Sequence, residues 1–179
     1  MVYKICPEFQ ITEENKKVLN AIFEYTNGTG TLNPNKGILL FGDIGTGKST
    51  MLNILAEFQR LYKQGFMVVN TSKLAADFAA EGIEALNEST WNKSSRGATQ
   101  PVERGFDELG RELIPAKHYG NELNVMQHIL QIRYDLKVKT HATTNLSVEE
   151  LEKRYGSHIF DRMVETFNFI EMRGESFRK

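Results

Sequence analysis

The chain has 179 residues, of which 40% are hydrophobic and 25% charged, with a formal net charge of -1 and a single cysteine. This length suits one domain, the composition excludes a disordered or collagen-like chain, and the lone cysteine excludes an intramolecular disulfide. Because no apolar run reaches the 18 residues of a membrane-spanning helix, and the first ten residues resemble no signal peptide, we expect a cytoplasmic protein that does not contact a membrane.

A helix is predicted close to the N-terminus. From Thr12 the segment TEENKKVLNAIFEYTNG begins with a capping residue, repeats apolar side chains at helical spacing and stops at Gly28. We therefore expect residues 1–35 to form an amphipathic helix and a linker. Residues 36–179 are expected to form a single α/β domain.

The next region alternates short apolar strands with helices. Residues 37–41 predict a buried strand, which is followed by a glycine-rich loop and a helix that ends before Gly65. Residues 66–70 predict a second strand, and the helix after it is expected to be capped by Ser72. This strand-helix alternation predicts a parallel sheet.

The second half of the chain is less regular. Residues 89–101 lack periodicity and predict an exposed connection, whereas residues 119–136 predict one long helix. Residues 138–144 alternate like a strand, Ser147 opens a capping box before a short helix, and residues 167–172 predict the last strand.

The glycine-rich loop matches the phosphate-binding pattern GxxxxGK[ST] and lies between a strand and a helix, as that pattern requires. The residues are Gly42, Asp43, Ile44, Gly45, Thr46, Gly47, Lys48, Ser49 and Thr50. The glycines let backbone amides surround phosphate oxygens, Lys48 reaches the β and γ phosphates, and the hydroxyl of Ser49 binds magnesium. The motif therefore predicts a nucleoside triphosphate site with Mg²⁺.

Hydrolysis of that triphosphate needs a second acid for magnesium and a polar group that positions the attacking water. Asp107 is the candidate magnesium ligand, and Glu108 is the candidate for the water. Asn145 follows the strand of residues 138–144, and parallel sheets bind ligands at this end of their strands. The alternatives are a solvated turn for the two acids and a turn asparagine for Asn145.

Six segments together resemble the AAA+ ATPases of the DnaC/IstB helicase-loader type, from about Lys36 to the end. They are GILLFGDIGTGKST, GFDELGRE, KHYGNE, HATTNLSVEEL, RYGSHIFDRM and GESFR. The resemblance implies a P-loop NTPase fold of the ASCE class, a three-layer sandwich in which helices flank a mostly parallel five-stranded sheet. It also implies ATP and Mg²⁺ as cofactors, with Walker A at Lys48 and Ser49, Walker B at Asp107 and Glu108, and sensor 1 at Asn145.

Two arginines are carried over from the same resemblance. Arg162 matches the arginine finger that acts on the ATP of a neighbouring subunit, which implies an oligomer. Arg178 matches an arginine near the C-terminal end of the family and is a candidate phosphate contact. Without the resemblance, Arg162 has the pattern of a surface arginine that makes a weak ion pair.

The resemblance implies an ATPase that helps load a replicative helicase onto single-stranded DNA during replication. The helix that begins at Thr12 is a candidate to replace the helicase-binding region that such loaders carry before the ATPase core. Candidate DNA contacts are the segments around Trp91, with Lys93 and Arg96, and around residues 117–119.

Three other functions stay open. An IstB-like helper of a transposase has the same motifs, and a small-molecule nucleotide kinase shares Walker A. A nucleotide-switch adaptor without hydrolysis is the third, because Glu103, Arg104 and Gly105 predict only a weak buried strand before Asp107.

Overall fold

The computed structural model describes residue 7 and residues 9–62, 65–93, 99–174 and 176–177. Its strands are β1 (Gly37–Gly42), β2 (Met67–Asn70), β3 (Trp91–Lys93), β4 (Thr99–Pro101), β5 (Arg104–Leu109), β6 (Ala116–His118), β7 (Asn121–Leu123), β8 (Thr140–Thr144) and β9 (Phe167–Met172). Five of them form one sheet in the order β2-β5-β8-β1-β9, and every neighbouring pair in it is parallel.

Helices cover both faces of this sheet. They are α1 (Glu13–Asn27), α2 (Lys48–Tyr62), α3 (Thr71–Glu81), α4 (Val125–Asp135), α5 (Val148–Tyr155) and α6 (Ser157–Thr166), with a 3-10 helix at Ile83–Ser89. In β1, Ile38 and Leu40 pack with α1 and α2, whereas Leu39 packs on the opposite face with α3 to α6. The predicted three-layer α/β architecture with five parallel strands is therefore confirmed.

The predicted N-terminal helix is present and packs against the sheet. Thr12 and Asn15 form its capping box, and Gly28 closes it in the left-handed conformation with a φ of 71°. Ile22 is fully buried in the same cluster as α2, and the hydroxyl of Tyr25 donates to the backbone oxygen of Lys36 at 2.7 Å. These contacts fix α1 on the face of the sheet that carries α2.

The expectation of a weak strand before Asp107 is wrong. Strand β5 pairs with a neighbour on each side, and Phe106 is fully buried at its centre. Arg104 is only 7% exposed, but its guanidinium donates to the backbone oxygens of Glu88 and Glu103 at 3.1 and 3.2 Å. Gly105 leaves room for the ring of Phe66, from which a Cβ would lie 2.8 Å away. Polar residues are tolerated here because their hydrogen bonds are made.

Two segments differ from their predicted structure because antiparallel strand pairs form in them. Residues 89–101 contain the antiparallel pair β3 and β4 in place of an irregular connection. Residues 119–136 were expected to form one helix, but Tyr119 and Gly120 form the turn of the hairpin β6–β7, with φ values of 43° and 85°. Positive φ at both turn residues is what a two-residue hairpin requires. The helix begins only at Val125, where Asn124 supplies the cap.

The helix after β2 also begins differently. Asn70, the last residue of that strand, caps α3 by accepting from the backbone amides of Ser72 and Lys73 at 3.0 and 3.3 Å. Ser72 therefore lies inside the helix, and the predicted cap at that position is wrong. Among the described residues, no helix is both long and apolar enough to cross a membrane.

Candidate nucleotide-binding and catalytic site

The glycine-rich loop connects β1 to α2 and holds the ammonium group of Lys48 close to its own backbone. Nζ of Lys48 donates to the backbone oxygen of Gly42 at 2.9 Å and to that of Asp43, and the residue is 6% exposed. Gly45 and Gly47 adopt φ values of 84° and 89°, which glycine tolerates best. The loop thus places a cation beside the N-terminal end of α2, whose backbone dipoles also favour an anion.

The C-terminal segment packs directly on this loop. The backbone amide of Asp43 donates to the oxygen of Met172 at 3.1 Å, and that of Phe177 donates to the oxygen of Gly45 at 3.0 Å. A Cβ on Gly45 would lie 2.1 Å from the hydroxyl oxygen of Ser176. The conformation of the glycine-rich loop therefore depends on residues more than 120 positions later in the chain.

A cleft at the carboxyl ends of the strands brings many of the predicted site residues together, although Asp107 and Arg162 do not line it. Its lining residues are Ile44, Gly45, Gly47, Lys48, Ser49, Thr50, Glu108, Thr143, Asn145 and Phe177. Three elements of the sheet contribute, since the loop follows β1, Glu108 lies on β5 and Asn145 follows β8. This is the edge at which open α/β sheets bind their ligands.

The two acids of β5 lie at a bulge in that strand. Its register shifts between Phe106 and Leu109, and Glu108 takes a φ of 61°, a conformation that residues other than glycine seldom adopt. The hydroxyl of Thr143 donates to the carboxylate of Asp107 and accepts from the backbone amide of Glu108 at 2.9 Å. A bulge changes the direction of a side chain, and here it directs the carboxylate of Glu108 into the cleft.

The carboxylate of Glu108 is held by two further side chains. Nδ2 of Asn70 donates to Oε2 at 3.1 Å, and a guanidinium nitrogen of Arg111 donates to Oε1 at 2.6 Å. The side chain of Glu108 is 21% exposed, so solvent reaches it from the cleft. Sequence reasoning missed Asn70 and Thr143, although both are polar residues at or near the carboxyl end of a strand. Arg111 does not lie at the end of a predicted strand, so the sequence held no comparable signal for it.

The oxygen donors at the site fit a magnesium ion that arrives with a nucleotide. In nucleotide sites Mg²⁺ takes one or two protein oxygens and completes its shell with phosphate oxygens and water. Ser49 offers a hydroxyl in the cleft, and Asp107 offers a carboxylate on β5, which β8 separates from β1. In the part of the chain that the structure describes, no three His, Cys, Asp or Glu side chains are grouped to hold a metal.

Arg162 lies on α6 and lines a pocket different from the cleft. Its guanidinium carbon lies 4.8 Å from the centre of the Tyr134 ring. Its Nη1 atom is buried and has no hydrogen-bond partner among the described residues. Arg178, the other arginine carried over from the family, lies outside the described residues.

The candidate DNA contacts differ in their surroundings. Nζ of Lys117 forms a salt bridge with Glu122 at 2.6 Å, whereas Tyr119 is 95% exposed at the turn of its hairpin. Trp91 is half-buried and lines a cleft of about 650 Å³ beside the edge strand β2. Arg96 lies outside the described residues.

Solved structures share this fold. The chain is similar to the crystal structure of DnaI, with a TM-score of 0.69 and 18% identity over 97% of this chain and 95% of that one. It is similar to the DnaC helicase loader, with a TM-score of 0.66 and 16% identity over 94% and 96%. It is also similar to AMPPCP-bound DnaA from Aquifex aeolicus, with a TM-score of 0.56 and 20% identity over 93% of this chain and 49% of that one.

These similarities show that the chain has the fold of AAA+ P-loop domains. No protein-family model matches the sequence, and no curated protein matches it. Sequence identity to these structures is low, although they superpose on nearly the whole of this chain. The comparisons therefore show the fold, and they do not assign roles to individual residues.

Proposed function

We propose that the protein is an AAA+ ATPase that binds ATP with Mg²⁺ in the cleft between the glycine-rich loop and the ends of β5 and β8. The observation that carries this proposal is the convergence of Lys48, Ser49, Glu108 and Asn145 on one cleft. These residues come from three separate segments of the chain, and each has the side chain that phosphoryl transfer to water requires.

In the proposed reaction, Lys48 and the amides of the loop bind the β and γ phosphates, while Ser49 and Asp107 bind Mg²⁺. Glu108 orients a water molecule and accepts its proton as the water oxygen bonds to the γ phosphorus. The bond from that phosphorus to the bridging oxygen breaks, which releases ADP and phosphate. Asn145 contacts the γ phosphate or the attacking water.

Arg162 completes the site of a second copy of the chain in this proposal. It lines its own pocket, away from the cleft of the same chain, and its buried Nη1 lacks an acceptor in the described part of the chain. A buried donor without a partner costs about 1–3 kcal/mol. A phosphate oxygen of another copy's ATP would relieve that cost, so assembly and hydrolysis become coupled.

Replication is the proposed setting, with single-stranded DNA and a replicative helicase as partners. The support is similarity to the DnaC helicase loader, and to a DnaA structure described as bound to AMPPCP and single-stranded DNA. Residues 36–179 form the proposed ATPase domain. Residues 1–35, which include α1, are the proposed place for contact with the helicase.

The test is steady-state ATP hydrolysis over a range of protein concentrations, with and without single-stranded DNA. Lys48→Ala should abolish turnover, and Lys153→Ala, which removes an exposed lysine of α5, is the matched control. Specific turnover that rises with protein concentration and with DNA supports the proposal. Tight ATP binding without turnover in any condition would replace it with the nucleotide-switch adaptor.

The replication role has its own measurement. Addition of the ATP-bound protein should increase unwinding by a replicative helicase on DNA coated with single-strand binding protein. Co-purification with a transposase, together with no effect on the helicase, would favour the transposase helper.

A further inference from the structure

Tyr134, at the end of α4, makes a contact that the proposed reaction leaves unexplained. The guanidinium carbon of Arg162 lies over its ring, 4.8 Å from the centre. A guanidinium held over an aromatic face by a cation–π contact is limited in the positions that it can take. The contact therefore limits the directions in which Arg162 can donate.

The ring of Tyr134 is itself held in place. Its hydroxyl donates to Oε2 of Glu165 at 2.6 Å, and this hydrogen bond raises the pKa of Tyr134, so the hydroxyl stays protonated. Glu165 lies three residues after Arg162 on α6, which puts the two side chains on the same face of that helix. Tyr134 thus bridges two side chains of α6 from the neighbouring helix.

The pocket behind Arg162 offers its guanidinium no acceptor among the described residues. Apart from Tyr134 and two threonines, the walls are apolar, formed by Leu130, Ile159, Met163 and Phe167. The hydroxyl of Thr166 donates to the backbone oxygen of Arg162, and that of Thr140 donates to the oxygen of Val138 and accepts from Arg133. Nη1 of Arg162 is left buried and without a partner among the described residues, so the guanidinium gives up no hydrogen bond at that atom when it turns outward.

We propose that Tyr134 is the positioning residue for Arg162, and that its ring is the platform on which the guanidinium turns outward to the triphosphate of another copy. This inference rests on the proposed function of Arg162 in trans. Without the ring, the long side chain of Arg162 samples many more rotamers, and fewer of them reach the neighbouring phosphate.

The experiment separates the chain that supplies the arginine from the chain that holds ATP. The donor chain carries Lys48→Ala, so it keeps Arg162 but cannot use its own cleft. The acceptor chain carries Arg162→Ala, so it binds ATP but depends on a neighbour. Each variant alone should be inactive, and the mixture should hydrolyse ATP because the donor completes the acceptor's site.

Tyr134→Ala is then added to one chain at a time. In the donor chain it should lower the activity of the mixture at least about fivefold, since misorientation of one catalytic group costs up to about a hundredfold. In the acceptor chain, which has no Arg162 to position, it should leave the activity within about twofold. A residue that only stabilises the fold would lower both mixtures alike.

Two variants keep the test decisive if Tyr134→Ala folds poorly. Tyr134→Phe in the donor keeps the ring and loses only the bond to Glu165, so it should retain most of the activity. Leu113→Ala in the donor removes an exposed apolar side chain that has no role in the proposed site, and it should change nothing.

Each remaining result overturns the inference. Equal losses from Tyr134→Ala in donor and acceptor would make Tyr134 a structural residue. Full activity with Tyr134→Ala in the donor would show that Arg162 needs no platform. An inactive mixture of the two chains without any change at Tyr134 would mean that Arg162 does not act in trans. That result would contradict both this inference and the role of Arg162 in the proposed function. ATP binding by the acceptor alone shows whether the rest of the proposed function survives.

Discussion

The amide of Asn70 connects the start of α3 to the carboxylate of Glu108. Its Oδ1 atom caps the helix, and its Nδ2 atom donates to Oε2 of Glu108 at 3.1 Å. One side chain therefore links an element of the fold to the residue proposed to orient the attacking water. A displacement of α3 would therefore also change the hydrogen bond from Asn70 to Glu108.

Asn70→Ser should raise ATP hydrolysis in the absence of DNA. Serine still caps the helix but is too short to reach Glu108, so the carboxylate keeps the bond from Arg111 and loses the one from Asn70, which lets it turn more easily toward the water. The increase should be about tenfold, which corresponds to the lower end of what a hydrogen bond to a charged group contributes. Steady-state kinetics with a parallel melting curve would check this prediction. A fall in kcat at unchanged Tm would instead mean that Asn70 orients Glu108 productively.

Thr143→Val should increase the Mg²⁺ concentration needed for half-maximal hydrolysis. Valine has the same shape but loses the bonds to Asp107 and to the amide of Glu108, which also destabilises the protein by about 1–3 kcal/mol. Thr144→Val is the matched control, because Thr144 is equally buried and bonds to the backbone of Leu109 and Leu146. Both variants should have a lower Tm than the parent protein. Only Thr143→Val should raise the Mg²⁺ concentration needed for half-maximal hydrolysis. Equal titrations would mean that the bond from Thr143 does not position Asp107 for the ion.

Gly45→Ala should destabilise the protein more than Gly120→Ala does. Both glycines have a φ near 85°, so both substitutions cost about 1 kcal/mol of backbone strain. At Gly120 nothing lies within 4 Å of the new Cβ, whereas at Gly45 the hydroxyl of Ser176 lies 2.1 Å from it. Thermal unfolding of the two variants measures the difference. ATP affinity should fall only for Gly45→Ala, and equal losses of affinity would contradict the importance of this packing.

The free energy of unfolding should decrease as the pH falls below about 6.5, the ordinary pKa of histidine. Burial lowers the pKa of His141 despite the opposing effect of Glu103, and its Nδ1 accepts from the amide of Ile38 at 3.0 Å. A histidine that is neutral in the folded state binds its proton on unfolding. The stability that neutral His141 contributes is complete above the pKa of histidine in the unfolded chain. As the pH falls below that value, this stability is lost at up to about 1.4 kcal/mol per pH unit, until the pH reaches the lower pKa of the folded state.

Urea unfolding at pH 7.5 and pH 5.5 tests this dependence. His141→Phe should be less stable at pH 7.5, because the amide of Ile38 loses its acceptor, but it should lose less stability on acidification. His158→Gln removes an exposed histidine and should behave like the parent protein. An unchanged pH dependence in His141→Phe would assign the effect to other groups.

The sequence predicted the features that depend on neighbouring residues. Four of the five sheet strands (β1, β2, β8 and β9), the capping residue Thr12 and the capping box at Ser147 follow from local spacing and residue type, and the structure confirms them. The glycine-rich loop was found in the same way, because its pattern is continuous in the chain. The hairpin at Tyr119 was missed because Leu123, Met126 and Leu130 have helical spacing even though the first of them lies on a strand.

Contacts between distant segments could not be predicted. Asn70 and Glu108 are 38 residues apart, and their hydrogen bond exists because β2 pairs with β5 in one register. The stack of Arg162 on Tyr134 depends on how α4 and α6 pack, which periodicity does not specify. The polar start of β5 misled the prediction, since the backbone oxygens that satisfy Arg104 are fixed only by the folded chain.

The pairing of β1 with β9 has a consequence for the order of events during synthesis. Six residues of β1 pair with residues 167–172, and the loop after β1 bonds to Met172. The ribosome makes the glycine-rich loop before it makes the strand that supports it. Domains fold only when their long-range contacts can form, so we expect the nascent chain to become able to hold a nucleotide only after β9 has emerged and paired with β1. A bound triphosphate would then mark a chain in which β9 is in place.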